Sequence, residues 1–262
     1  MVRAPSLYLG GSWFESRHAH KCATLSYMNF EGQPQSKEIK ALSEKEMRLQ
    51  AERQKVEEFA DLKGMGVDEG IKETVAVFNS MELSTSASCE GHLGGESKHG
   101  YLVPWVDFEA PNQPKWRFEN EEEIYEQVAQ KYTVSVEEVF RGRHEQAWAE
   151  ASRLISQQEE TVEYKEWEKE NDKLLEKVNS LLQEFYSTRD ASDEARIIID
   201  TYASWFRIHG GGKFYIPNSD TEKIQSDLTD EERARIPEVL KTSQQEMKDF
   251  TDFLHDKFIK EE

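Results

Sequence analysis

A thiol, a carboxylate and an imidazole stand within four positions of one another at Cys89, Glu90 and His92. They lie in the segment STSASCEGHLGG, Ser84–Gly95. A thiol becomes a nucleophile when a neighbouring base or positive charge turns it into a thiolate, and His92 or His99 is near enough in sequence to do that. The same thiol and imidazoles are ligands for a borderline metal ion, with Glu90 or Asp107 as an oxygen donor. A third reading treats Cys89 as a small buried apolar residue and His92 as part of a loop. The C-x-x-H spacing is not a zinc-finger pattern, because no second ligand pair accompanies it. In an enzyme, Cys89 would be the nucleophile or thiolate ligand, His92 its base and Glu90 an orienting group. The Gly94–Gly95 backbone would receive an anion. Ser88, Gly91, His99, Asp107 and His209 complete the candidate ligand-contacting set.

The local pattern places this chemistry at a strand end. Small side chains from Ser84 to Ser88 leave room beside a strand. Thr85, Ala87 and Cys89 share one face, and Ser84, Ser86, Ser88 and Glu90 the other. Gly91 permits a turn that returns His92 toward the thiol. His209 ends a second strand just before Gly210–Gly212, where backbone N–H groups can approach an anion. Strands are expected at Leu83–Glu90, Tyr101–Glu109, Arg196–Tyr202 and Trp205–His209. The short glycine-rich connection Gly91–Gly100 predicts that the first two are paired neighbours, and Ala203–Ser204 is the expected turn between the last two. Pro104 predicts an edge position or a bulge for Tyr101–Glu109.

Helices must fill the rest. Ser36–Leu62 has no Gly or Pro, with Ile39, Leu42, Leu49, Val56 and Phe59 as its apolar stripe. Asp68 is read as the cap of a helix over Glu69–Glu82, with Ile71, Val75 and Phe78 facing the core. Further helices are expected at Asn120–Lys131, Ser135–Gln158 and Thr161–Phe185. Ser135 and Glu138 are spaced as a capping box. In Thr161–Phe185 the residues Tyr164, Trp167, Asn171, Leu174, Val178, Leu181 and Phe185 form a heptad seam. The break at Gln158–Glu160 makes these two helices a hairpin, whose seam either packs within the chain or serves a homodimer or protein partner. An Asn at such a core position sets register at a cost in stability, so Asn171→Leu is expected to stabilise. Thr229 and Glu232 cap a last helix, Leu228–Lys260, with Pro237 as an interruption and Met247, Phe250, Leu254 and Phe258 as its buried stripe. The sum is an α+β fold: a small, mainly antiparallel four-stranded sheet packed by helices, with a helical hairpin inserted at about 120–187. Residues 1–35 are expected to be poorly ordered, and their His18, His20 and Cys22 lack a fourth metal ligand.

Composition narrows the function. The formal net charge of -19 repels phosphate backbones and anionic membrane surfaces, so general nucleic-acid and membrane binding are not expected. Two distant cysteines make no disulfide framework and suggest a reducing, cytoplasmic setting. No run of apolar residues approaches the roughly 20 needed to span a bilayer.

The segments GVDEGIKETVAVFNS, LSTSASCEGHLGG and VPWVDFEAPNQP resemble an uncharacterised bacterial family. A fainter likeness is to the wybutosine-synthesising methyltransferases that carry a T-x-S-C-S-G-R segment after a helix ending in Asn. Asn79, Thr85, Ser88, Cys89 and Gly91 stand at comparable places, which implies a related strand–turn fold. Glu90 replaces a serine and His92 the arginine. Losing that arginine removes a fork for gripping phosphate or carboxylate, so methyl transfer is not implied. The expected function is a cytoplasmic protein with a small-molecule or peptide site at Cys-Glu-Gly-His. The rival is an interaction module working through the helical hairpin.

Overall fold

The computed structural model describes residues 43–60, 64–93, 103–210, 212–215 and 228–260. The N-terminal segment, His99, Gly94–Gly95 and Gly211 lie outside the described residues. Within them the fold is α+β: seven α-helices and four strands. The strands β1 (Thr85–Cys89), β2 (Trp105–Phe108), β3 (Ile197–Thr201) and β4 (Phe206–Gly210) form one antiparallel sheet in the order β1-β2-β4-β3. β1 and β2 are neighbours, as their short connection predicts. β2 is central, not an edge. Pro104 sits just before it, where no ladder N–H is needed, and its carbonyl accepts from Gly210 N. The irregularity lies instead on β1, where the register shifts between Thr85 and Ala87.

The helices are α1 (Glu44–Glu58), α2 (Lys72–Ser80), α3 (Glu121–Tyr132), α4 (Val136–Phe140), α5 (Glu145–Ile155), α6 (Val162–Tyr186) and α7 (Asp230–Lys260). Local chemistry explains their limits. Ser43 and Glu46 form a capping box that starts α1, so it is shorter than the polar run that contains it. Phe59 follows its last turn and is exposed. Ser135 and Glu138 cap α4 reciprocally, but the helix expected to continue to Gln158 stops at Phe140. Gly142 takes φ +67 there, and His144 caps a new helix. Thr229 and Glu232 bond reciprocally before α7, which runs through Pro237 without ending.

One face of the sheet carries the main core. Val106 and Phe108 of β2 and Phe206 and Ile208 of β4 pack with Phe78 of α2, Val178 and Phe185 of α6, and Phe250 of α7. Phe78 meets Phe108 edge-on at 4.9 Å, and Phe185 meets Phe250 at 5.1 Å. Every seam residue of α6 is buried, and the seam from Leu174 to Phe185 joins this core. The seam is therefore filled within the chain. Asn171 does not set a helix register. Its Oδ1 accepts from Ala110 N at 2.7 Å, while Trp167 Nε1 donates to Ala110 O at 2.8 Å, so α6 pins the chain that leaves β2. α3, α4 and α5 bury a separate small core around Tyr125, Val128, Val139 and Ala151.

Alternation turns Trp105, Asp107, Arg207 and His209 to the opposite face. That face is buried too, but polar. Arg207 bonds Asp107 through Nε at 2.5 Å and Nη2 at 2.7 Å, and its guanidinium lies 3.7 Å from the Trp105 ring.

Candidate functional site

Cys89 ends β1 on the polar face, directly opposite Trp105. The chain then turns at Gly91, with φ +81. A Cβ there would stand 2.8 Å from Leu240 Cδ1 and from the Val103 carbonyl carbon, and 2.9 Å from Pro104 N, so only glycine fits. The turn brings His92 back beside the strand end, and Gly91 N donates to Cys89 Sγ at 3.4 Å.

The residue that completes the cluster is Asp68. It does not cap its own helix by a side-chain bond. Its Oδ2 accepts from Glu90 N at 3.2 Å and lies 3.2 Å from His92 Nε2. Asp68, Cys89 and His92 each offer one ligand atom, and these atoms all lie within 4.8 Å of one another. They are the one such group of three among the described residues. Cys89 is buried, whereas the side chains of Asp68 and His92 are 34% and 29% exposed, so solvent reaches the cluster from one side.

Asp68 arrives there by the geometry of a helix folded back on a strand. From Asp68 to Ser80 is about 18 Å at ~1.5 Å per residue. From Ser84 back to Glu90 is about 20 Å at ~3.3 Å per residue. The two lengths match, so the residue before the helix returns to the strand end. Asn79 anchors the far end, its Oδ1 accepting from Thr85 N and Oγ1 at 3.1 and 3.0 Å. The equal lengths are the sequence signal that points to Asp68.

The electrostatics separate the candidate chemistries. Burial pushes the Cys89 thiol up to about 12, and the Asp68 and Glu90 carboxylates push the same way. The hydrogen bond of His92 goes to Asp68. The charged groups that act on the thiol are the Asp68 and Glu90 carboxylates, and both disfavour a thiolate. A cation held by Asp68, Cys89 and His92 would supply positive charge there and favour loss of the thiol proton.

The other expected contacts are dispersed. Ser88 is half-buried on β1, opposite Val106. Asp107 is taken by Arg207; burial raises its pKa, and the Arg207 partner opposes that. His209 stands one strand beyond Trp105, so roughly 10 Å of sheet separates it from Cys89. It is 1% exposed, stacks on Tyr215 at 3.2 Å and approaches Asp200 at 3.2 Å through Nε2. Burial pulls its pKa down. His209 and Asp107 thus belong to the polar face, and Asp68 brings the carboxylate oxygen that lies beside Cys89 and His92.

No family model, curated protein or solved structure matches the chain.

Proposed function

We propose that this protein binds a borderline divalent cation such as zinc through Asp68, Cys89 and His92, and works through it. The carrying observation is the convergence of one oxygen, one sulfur and one nitrogen from three short segments within 4.8 Å. Ligand bonds of about 2.0–2.3 Å place tetrahedral ligand atoms less than ~4 Å apart, so side-chain adjustment alone closes the set. The choice of S, N and O donors favours zinc over calcium or magnesium. Asp68 Oδ2 and His92 Nε2 face each other at 3.2 Å. In the metal-free protein a proton holds that line, and a cation is its natural replacement.

Three protein ligands with solvent on one side is the form in which a metal keeps an open position for water or substrate. The expected chemistry is therefore that of a metal-bound water or a polarised substrate oxygen, with Cys89 as a ligand and not a free nucleophile. The small-ligand reading of the Cys-Glu-Gly-His segment is kept, with the metal as its anchor. Elemental analysis of the purified protein tests the proposal. One metal per chain, lost in Cys89→Ser, is the expected result. Protein that remains metal-free after incubation with zinc and gel filtration overturns it.

The exposed Val136 and Phe140 of α4 support a second role for the α3–α5 unit as a surface for a protein partner. Loss of partner binding in Phe140→Asp, with the metal site intact, would distinguish that role.

A further inference from the structure

We infer that Glu90 is a positioning residue that sets the orientation and proton of the His92 ring, and that it is not a fourth ligand. The inference rests on the metal-site reading above. His92 directs Nε2 to the Asp68 side and Nδ1 to the Glu90 side, with Nδ1 4.0 Å from Glu90 Oε1. The two ring nitrogens thus approach different carboxylates, and the group of three within 4.8 Å does not include Glu90. When Nε2 ligates a metal, Nδ1 must carry the proton, and a carboxylate on that side fixes this tautomer and makes the ring a stronger donor. The 4.0 Å gap exceeds a hydrogen bond, and a small turn of the ring on binding a cation through Nε2 would close it.

Glu90 is itself held from three sides. Its Oε2 accepts from Gly70 N at 2.6 Å, its backbone N donates to Asp68, and its carbonyl accepts from Gln244 Nε2 at 3.0 Å. The residue at position 70 is matched to it: a Cβ on Gly70 would stand 2.6 Å from Glu90 Oε2. One carboxylate therefore ties the turn that carries Asp68 to the loop that carries His92.

The test uses the full-length protein and zinc alone, with affinity read by competition against a chromophoric chelator. Glu90→Gln keeps an oxygen acceptor for Gly70 N and removes the negative charge. It is expected to weaken zinc binding by about 10- to 100-fold while the melting temperature of the metal-free protein stays unchanged. Gly70→Ala clashes only with the carboxylate oxygen of Glu90, its other contacts at 3.5 Å being ordinary, so it should displace the carboxylate without unfolding the turn and weaken zinc in the same direction. In the cobalt-loaded protein both variants should shift the ligand-field bands and keep the thiolate charge-transfer band. A Glu90→Gln protein that binds zinc as tightly as wild type overturns the inference and reduces Glu90 to a hydrogen-bond tie. A wild-type protein that takes up no zinc overturns the metal site itself.

Discussion

At the residue scale, Cys89 is a buried thiol that the fold holds in its protonated form, and under the proposed reading a bound cation would release that proton. Its pKa in the fold is raised from 9.0 to about 12, first by burial and then by Asp68 and Glu90. A raised pKa favours the protonated folded state, so that stability is fully present below about pH 9 and is lost as pH rises toward 12. Several tyrosines share this range, so the signal is a difference. Denaturant titrations of metal-free wild type and Cys89→Ser should converge between pH 9 and pH 12, with wild type losing more. Parallel curves would mean that the thiol is not shielded. Asp107 gives a second residue-scale expectation. It is buried with Arg207, and Asp107→Asn leaves a guanidinium without its counter-charge. A loss of about 3–5 kcal/mol in chemical denaturation is expected. Replacing both partners with apolar residues of similar volume should cost less. If the double replacement is the worse of the two, the pair is more than a compensated burial.

At the element scale, the strands were legible and the helix breaks only partly so. Four strands, their pairing and the hairpin at Ala203–Ser204 follow from β-branched runs, short connections and alternation; Tyr202 N donates to Trp205 O across that turn. The capping boxes at Ser135 and Thr229 were also readable, because their signal is two side chains three residues apart. The end of α4 was not: its break from α5 rests on the left-handed backbone at Gly142 and the His144 cap, and a lone glycine inside a helical pattern is often tolerated. Asp68 was hidden for a different reason. Its role depends on a helix and a strand of equal length folding back together, and a one-dimensional pattern does not show that. Asn171 shows the same limit with a change of sign. A heptad position suggests that leucine would stabilise, but the Asn side chain accepts the buried Ala110 N–H. Asn171→Leu leaves that donor unpaired and should cost about 1–3 kcal/mol, reduced by release of its own unpaired Nδ2. A raised melting temperature would show that the tie to Ala110 is dispensable.

At the scale of the whole molecule, the two faces of one sheet have separate work. The helical face holds the phenylalanine core. The polar face carries the Asp107–Arg207 pair and, at its β1 margin, the cysteine of the Asp68–Cys89–His92 cluster. The site draws on distant parts of the chain: Asp68 before α2, and the neighbours Gln244 and Leu240 on α7. These residues come together only when α2, β1 and α7 are assembled, so the proposed metal binding would be coupled to the fold. A cation bound only by the native state stabilises it by about 2.7 kcal/mol at a hundredfold excess over Kd. The net charge of -19 favours capture of a cation in the same way that it disfavours nucleic acid. No helix among the described residues is long and apolar enough to cross a membrane.

The central claim is that Asp68, Cys89 and His92 coordinate one metal together, and titration with cobalt(II) followed by absorption spectroscopy tests it most directly. A thiolate-to-cobalt charge-transfer band and intense tetrahedral ligand-field bands should grow to a sharp end point at one equivalent. Cys89→Ser should abolish the charge-transfer band, and Asp68→Ala or His92→Ala should weaken binding. Weak ligand-field absorption alone, identical in wild type and Cys89→Ser and rising without an end point, would contradict the account.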